Sequence, residues 1–388
     1  MSNQSNNKAL IFDKPLVLLT AFALGNAGLL MIYLLPLLVG IIAEGYQLDE
    51  QQTGIFASSD LIGYSIASIS SFFWIRKVNW KYAALLGLAI MMAGNFLSSA
   101  MPDFTSLTAM RILTGLGQGM AVAITLAVVT DSSKTDKNFA IYLIITLLFG
   151  ALCVELLPAW LAQVNNAQPI YYAQILFAAI SIPLVLWAMP SKGLNYEDEL
   201  GNGSLSFPVL LGLGGIFLMF IGYGALWSMA ERIGDISGLS AEFIGSALAI
   251  SLIVAIIALL IPIFTETRFG RLLPISVSLI ALIIFGILLF WDTSETAYLV
   301  AVCLGSFGIN LILPYVSGLI GEQDTTGKGV IMVTPMYSIG FAFGPAILSW
   351  FISENNYAPM GYAAAAIFGV CLIIYWWMIK DTVSRTHS

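Results

Sequence analysis

Leu107-Thr-Ala-Met-Arg-Ile-Leu-Thr-Gly-Leu-Gly-Gln-Gly-Met120 decides how this chain folds. Arg111 stands inside a run that otherwise reads as buried in a membrane. A charge at that depth costs roughly 2.5–3.5 kcal/mol on insertion scales, so it needs a partner or a water-filled cavity. Gly115, Gly117 and Gly119 follow it, and small residues at this spacing let a second helix approach closely.

The 388 residues are 59% hydrophobic and 10% charged, with mean hydropathy +0.91. A soluble domain carries about 25% charged residues, which excludes soluble enzymes and nucleic-acid binders. Runs of about 20 apolar residues define helical membrane spans. Twelve can be placed, at 15–43, 51–74, 82–100, 105–130, 138–162, 170–189, 207–231, 241–264, 272–290, 297–320, 330–352 and 360–380. The fold class is thus all-α and integral to the bilayer.

Basic residues set the orientation. With the N-terminus inside, Lys8, Lys14, Arg76, Lys77, Lys81, Lys134, Lys137, Lys192, Arg268, Arg271, Lys328, Lys380 and Arg385 all fall on the cytoplasmic side, thirteen of the fifteen Lys and Arg. Both termini are then cytoplasmic. Tryptophans near span ends, Trp80, Trp187, Trp291 and Trp350 among them, read as interfacial anchors. Cys153, Cys303 and Cys371 fall in apolar runs and read as free thiols. The one histidine, His387, is in the tail, and no cluster has metal-ligand spacing. No cofactor or metal is expected, and an integral-membrane enzyme lacks a nucleophile–base pair.

The widest polar interruption, 191–206, divides the chain into a six-span bundle over 1–190 and another over 207–388, joined by a cytoplasmic linker. An offset of 191 supports a parallel repeat. It pairs Leu48 and Gly54 with Leu239 and Gly245, Asn79 with Gly270, and Gly117 with Gly308.

With Arg111-x-x-x-Gly115-x-Gly117-x-Gly119 in its fourth span, the chain resembles the major facilitator superfamily. The loop Phe73-Trp-Ile-Arg-Lys-Val-Asn-Trp-Lys81, carrying Arg76, Lys77 and Lys81, sits at the family's signature loop in degenerate form. Its second-half counterpart Arg268-Phe-Gly270-Arg271 is better kept. The fifth-span Gly-Pro motif of antiporter subgroups is missing, with Gly150-Ala-Leu-Cys-Val-Glu155 in its place. The resemblance implies two pseudo-symmetric six-helix bundles that rock about a cavity lined by spans 1, 4, 7 and 10. Asn26, Tyr33, Gln118, Tyr223, Trp227 and Asn310 are the polar and aromatic residues at mid-depth on those spans.

Asp60, Arg111 and Glu155 each lie about 9–14 Å below the outer end of their spans, at 1.5 Å per residue. At offset 191, Ser251 and Val302 replace Asp60 and Arg111. Two acids beside one base leave a carboxyl unpaired and ready to bind a proton. The alternative is a static pair tying helix 4 to helix 2 or helix 5. Glu231 and Arg232, at the outer end of span 7, read as a solvated interfacial pair or a gate. The expected function is secondary transport of a small organic solute coupled to protons, with a slight preference for export. Import of a small anionic metabolite with protons, and a non-transporting sensor, are the alternatives. A monomer in a bacterial inner membrane is expected.

Overall fold

The computed structural model describes residues 11–164, 166–194, 204–265, 268–326, 328–353 and 356–386. Among them are twelve long helices: α1 (Pro15–Gly45), α2 (Glu50–Trp74), α3 (Trp80–Ser98), α4 (Phe104–Thr130), α5 (Thr135–Val164), α6 (Gln168–Ala188), α7 (Phe207–Ser228), α8 (Ala241–Thr265), α9 (Leu272–Trp291), α10 (Glu295–Gln323), α11 (Lys328–Leu348) and α12 (Ala358–Thr386). Local chemistry starts many of them. Proline occupies the first turn of α1, α6 and α7, where its missing N–H costs nothing. Asp49 and Gln52 form a capping box on α2, and Asn79, Asp103 and Ser294 cap α3, α4 and α10.

Eleven of the twelve are long and apolar enough to cross a membrane. The exception is α2, whose Ser58, Ser59, Asp60 and Ser65 lower its hydropathy; all four are buried, so its polar side faces protein while Ile55, Ile66, Phe72 and Phe73 are exposed. The seventh span ends earlier than the hydropathy pattern predicts. The chain breaks at Met229 and restarts as a short helix, Ala230–Ile236, so Glu231 and Arg232 lie beyond the span.

Helices α1–α6 and α7–α12 form the two bundles, which meet where α2 packs on α11 and α5 on α8. The repeat is visible in contacts. Gly117 abuts the Gly87 carbonyl, and Gly308 abuts the Ser278 carbonyl, both members displaced by 191. A second pair exchanges sizes: Gly94 receives Thr114 in the first bundle, while Gly305 receives Phe285 in the second.

Most tryptophans stand at the periphery, with Trp187 83% and Trp291 78% exposed. Trp80 departs from the expectation, being fully buried. Its indole N–H donates to the Ile75 carbonyl (2.6 Å) and its backbone N–H to Ser191 (2.9 Å). It therefore seats the start of the linker rather than anchoring to lipid. Most of the linker, 195–203, lies outside the described residues, as do Lys8 and His387. The cysteines at 153, 303 and 371 are free.

Candidate functional site

Arg111 and Asp60 form a fork-to-fork pair. Nε donates to Oδ2 (2.7 Å) and Nη2 to Oδ1 (2.6 Å). The remaining Nη1 donates to Asn95 Oδ1 (2.8 Å), and Asn95 returns its amide to the Met91 carbonyl (2.9 Å). Gln118 reaches Asp60 Oδ1 at 3.5 Å. The Tyr171 ring lies 5.2 Å from the guanidinium, a cation–π contact. Arg111 is 0% exposed and Asp60 2%. A bidentate, fully desolvated pair with its spare donor occupied is the arrangement in which Coulomb attraction offsets dehydration.

The glycines make that geometry reachable. A Cβ at Gly115 would strike the Asp60 carbonyl, one at Gly119 the Tyr64 carbonyl, and one at Gly63 the Ile112 carbonyl. Gly117 faces the other way, onto α3. Helix α4 is thus pressed backbone-to-backbone against α2 on one side and α3 on the other.

Glu155 does not join the pair. It is exposed on α5, sharing an outward face with Leu152 (54% exposed) and Leu156 (61%). Its Oε1 accepts from Ser246 on α8 (3.1 Å). The expected excess of carboxylate beside Arg111 is therefore absent: depth matches, but direction around the helix does not. Glu155→Gln is expected to leave the melting temperature nearly unchanged, because an exposed single hydrogen bond survives as an amide. Differential scanning fluorimetry of the detergent-purified protein checks this.

Between the bundles lies a cavity of about 660 Å³. Of the six residues expected there, Tyr33, Tyr223, Trp227 and Asn310 line it; Asn26 and Gln118 do not. Asn26 instead donates to the Phe22 carbonyl (2.8 Å), and Gln118 serves Asp60. Helices α2, α5 and α11 contribute what the four-span reading missed: Tyr64, Tyr142, Thr334, Tyr337, Ser338 and Phe341. Tyr142 was findable as a tyrosine inside an apolar run, and its buried hydroxyl has no hydrogen-bond partner among the described residues. Tyr223 and Trp227 stack at 6.2 Å. Among the described residues, no charged side chain lines the cavity.

The cavity runs toward the end that carries Arg76, Asp131 and Arg271, where Phe139, Ile263, Ser317 and Thr334 form its walls. This is the basic end. The four cross-bundle hydrogen bonds among the described residues lie at mid-depth or toward the opposite, far end. Trp227 donates to the Ile32 carbonyl (2.8 Å), Ser65 to the Ser338 carbonyl (3.0 Å), the Ala346 N–H to Ser58 (3.0 Å), and Ser246 to Glu155.

The loop residues hold the basic end of each bundle together. Arg76 Nη1 pairs with the buried Asp131 (2.7 Å), which also accepts the Leu194 N–H (2.7 Å). Arg271 Nε pairs with Glu322 (3.0 Å), the residue 191 beyond Asp131. Gly270 has φ +66°, a left-handed turn suited to glycine. Asn79, its sequence counterpart, caps α3 instead. Lys77 and Arg268 are exposed, and Lys81 is half-buried.

Two six-helix bundles related by a parallel repeat, enclosing a solute-sized cavity, define the architecture of a twelve-helix secondary transporter. The model of the Major Facilitator Superfamily matches residues 16–320, and the chain belongs to that family. It is a multi-pass membrane protein of a transporter family, not of an enzyme family. The inner membrane transport protein YdhP of Escherichia coli strain K12 is 22% identical over 220 residues, 56% of this chain and 55% of that protein. The alignment thus spans about half the length of the curated relative. A mutant of the nucleoside transporter NupG superposes with a TM-score of 0.72 at 14% identity, covering 93% of this chain and 99% of that one. A D-xylose–proton symporter gives a TM-score of 0.72 at 14% identity, over 94% and 97%. These likenesses concern the fold alone.

Proposed function

We propose that the protein is a secondary active exporter of small uncharged or cationic amphipathic compounds, working by alternating access and driven by protons. The observation that carries this reading is the neutral, tyrosine-rich cavity between the bundles. Aromatic faces attract cations and stack on rings, and a few hydroxyls and one amide supply orientation. An anionic solute finds no basic partner there, because Arg111 is sealed off and already paired. That removes the main reason for the import reading. A non-transporting sensor has no use for a cavity of this size between two bundles.

By the basic-residue rule, the basic end faces the cytoplasm, so the cavity would load from inside. Coupling needs a carboxyl whose surroundings change as the bundles exchange. The Asp60–Arg111 pair lies within one bundle and moves as a unit. Glu155, bonded across the α5–α8 seam, is the better candidate of the two acids. The working unit proposed is a monomer in the inner membrane with both termini cytoplasmic.

Binding tests the substrate class. Hydrophobic aromatic cations and neutral analogues are expected to raise the melting temperature, while matched aromatic anions leave it unchanged. Stabilisation by the anions alone would contradict the reading. Access is tested separately with Ser317→Cys in a cysteine-free background. A membrane-impermeant maleimide should label it in inside-out vesicles and not in right-side-out ones.

A further inference from the structure

The far end of the molecule contains a carboxyl group that the transport reading does not use. Past the break at Met229, the short helix Ala230–Ile236 leaves α7 and packs against α1 of the opposite bundle. Glu231 opens that helix, and its carboxylate fills the notch that Gly40 leaves on α1; any Cβ at Gly40 would collide with it. Among the described residues it accepts no hydrogen bond and forms no ion pair. Its neighbour Arg232 turns Nε to the Tyr357 hydroxyl instead (2.7 Å).

The groups around it are mostly acidic. Glu44 faces it from α1 and Asp235 from its own helix, with Arg232 opposing them. Glu50, at the start of α2, joins Glu44, Arg232 and Asp235 around a groove at this end. Tyr298 of α10 donates to the Ala230 carbonyl (2.9 Å), so its hydroxyl is spoken for. Tyr357, before α12, is held by Arg232. Among the described residues Arg232 is the cation that favours its ionised form, and its influence is smaller than that of burial, Asp235 and Glu44.

We propose that Glu231 is a proton-binding site seated in the seam between the bundles, and that the proton it holds latches the far end shut. The proposal rests on the alternating-access reading for its consequence, not for its geometry.

Opening the far end must withdraw Glu231 from the Gly40 notch into water. Burial, then Asp235 and Glu44, raise its carboxyl from the usual 4.5 to about 8 in the docked position. Once withdrawn, it returns toward the ordinary value. Docking therefore takes up a proton at any pH between those two limits. A group with a raised docked pKa favours docking most below its undocked value and loses that preference as pH rises to the docked one. The docking equilibrium should fall by up to about tenfold per pH unit across that interval and level off above it. The pH on the far side would then bias the carrier toward the state open at the basic end.

The test uses the full chain in lipid nanodiscs, with the three native cysteines replaced. Spin labels at Ala100→Cys and Thr293→Cys report the separation of the two bundles at the far end by pulsed electron resonance. In the otherwise unaltered protein, a short distance should dominate at pH 5 and give way to a longer one by pH 9. Glu231→Gln, neutral at every pH, should keep the short distance throughout. Gly40→Ala, which fills the notch, should show the long distance throughout. Asp235→Asn should keep the transition and move it to lower pH. A pH-invariant distance in the parent, or an unshifted transition in Glu231→Gln, overturns the proposal. Solute flux in proteoliposomes separates the two readings. Flux with a pH-invariant distance sinks the latch alone, and a pH-dependent distance without flux sinks the transporter reading alone.

Discussion

Replacing Arg111 with methionine is expected to destabilise the fold by about 3–5 kcal/mol, the usual cost of stranding a buried charge by removing its partner. Methionine keeps an unbranched apolar stem but removes every donor that Asp60 uses at short range. Gln118, at 3.5 Å, is a weak replacement, and Asn95 Oδ1 loses the donor it accepts from. The loss should be largely reversed in the double variant Asp60→Leu with Arg111→Met, since an apolar pair of similar volume often matches a buried ion pair. Unfolding curves in mild detergent against a denaturing surfactant measure both. The double variant also separates structure from mechanism. If the pair only ties α2 to α4, the double variant is stable and transports; if it also takes part in transport, the double variant is stable and silent.

Gly115→Ala should damage the protein almost as much for a different reason. The new methyl points at the backbone carbonyl of Asp60, and no rotamer change can move a backbone atom aside. Helix α2 must retreat from α4, and overpacking of this kind typically costs about 1–3 kcal/mol. The retreat also stretches the two hydrogen bonds to Arg111, so the effect should exceed that of a simple clash. Gly214→Ala in α7 is the control, because nothing lies within 4 Å of its added Cβ. There the smaller backbone entropy loss of alanine should stabilise the helix by about 0.5–1 kcal/mol. Opposite signs at two helix glycines, read from the same unfolding curves, would establish that close packing and not helix propensity governs Gly115.

Much of this architecture was legible because membrane insertion writes its demands in long apolar runs and in the placement of lysine and arginine. All twelve helices and the repeat offset of 191 follow from those signals, as does the need of Arg111 for a carboxylate partner; that the partner is Asp60 and not Glu155 came only from the structure. The side of each helix does not. Residue counting along a span measures depth well, since the rise per residue is constant. It leaves the angle about the axis open when the helix is apolar all round. Glu155 shows the consequence: it has the right depth and the wrong direction. Asn95 and Tyr171 show the converse, being essential neighbours of Arg111 on α3 and α6 that carry no motif. The cavity was half read for the same reason. Tyr33, Tyr223, Trp227 and Asn310 lay on three of the four spans that the family resemblance singles out, whereas Tyr64, Tyr142 and Tyr337 lay on spans where it implied no lining. Glu231 could not be placed without seeing α7 break at Met229 and Gly40 leave room for it.

On the proposed function, the cavity between the bundles carries an uncharged or cationic amphipathic solute out of the cell in exchange for protons. Proteoliposomes loaded with a fluorescent aromatic cation test it directly, with an imposed pH difference and the same vesicles after the gradient is collapsed by an ionophore. The dye is expected to move only with the gradient, and a bulky Asn310→Trp substitution in the cavity should abolish that movement while Gly214→Ala leaves it intact. Dye movement that is the same with and without the gradient, or that survives the blocked cavity, would contradict it.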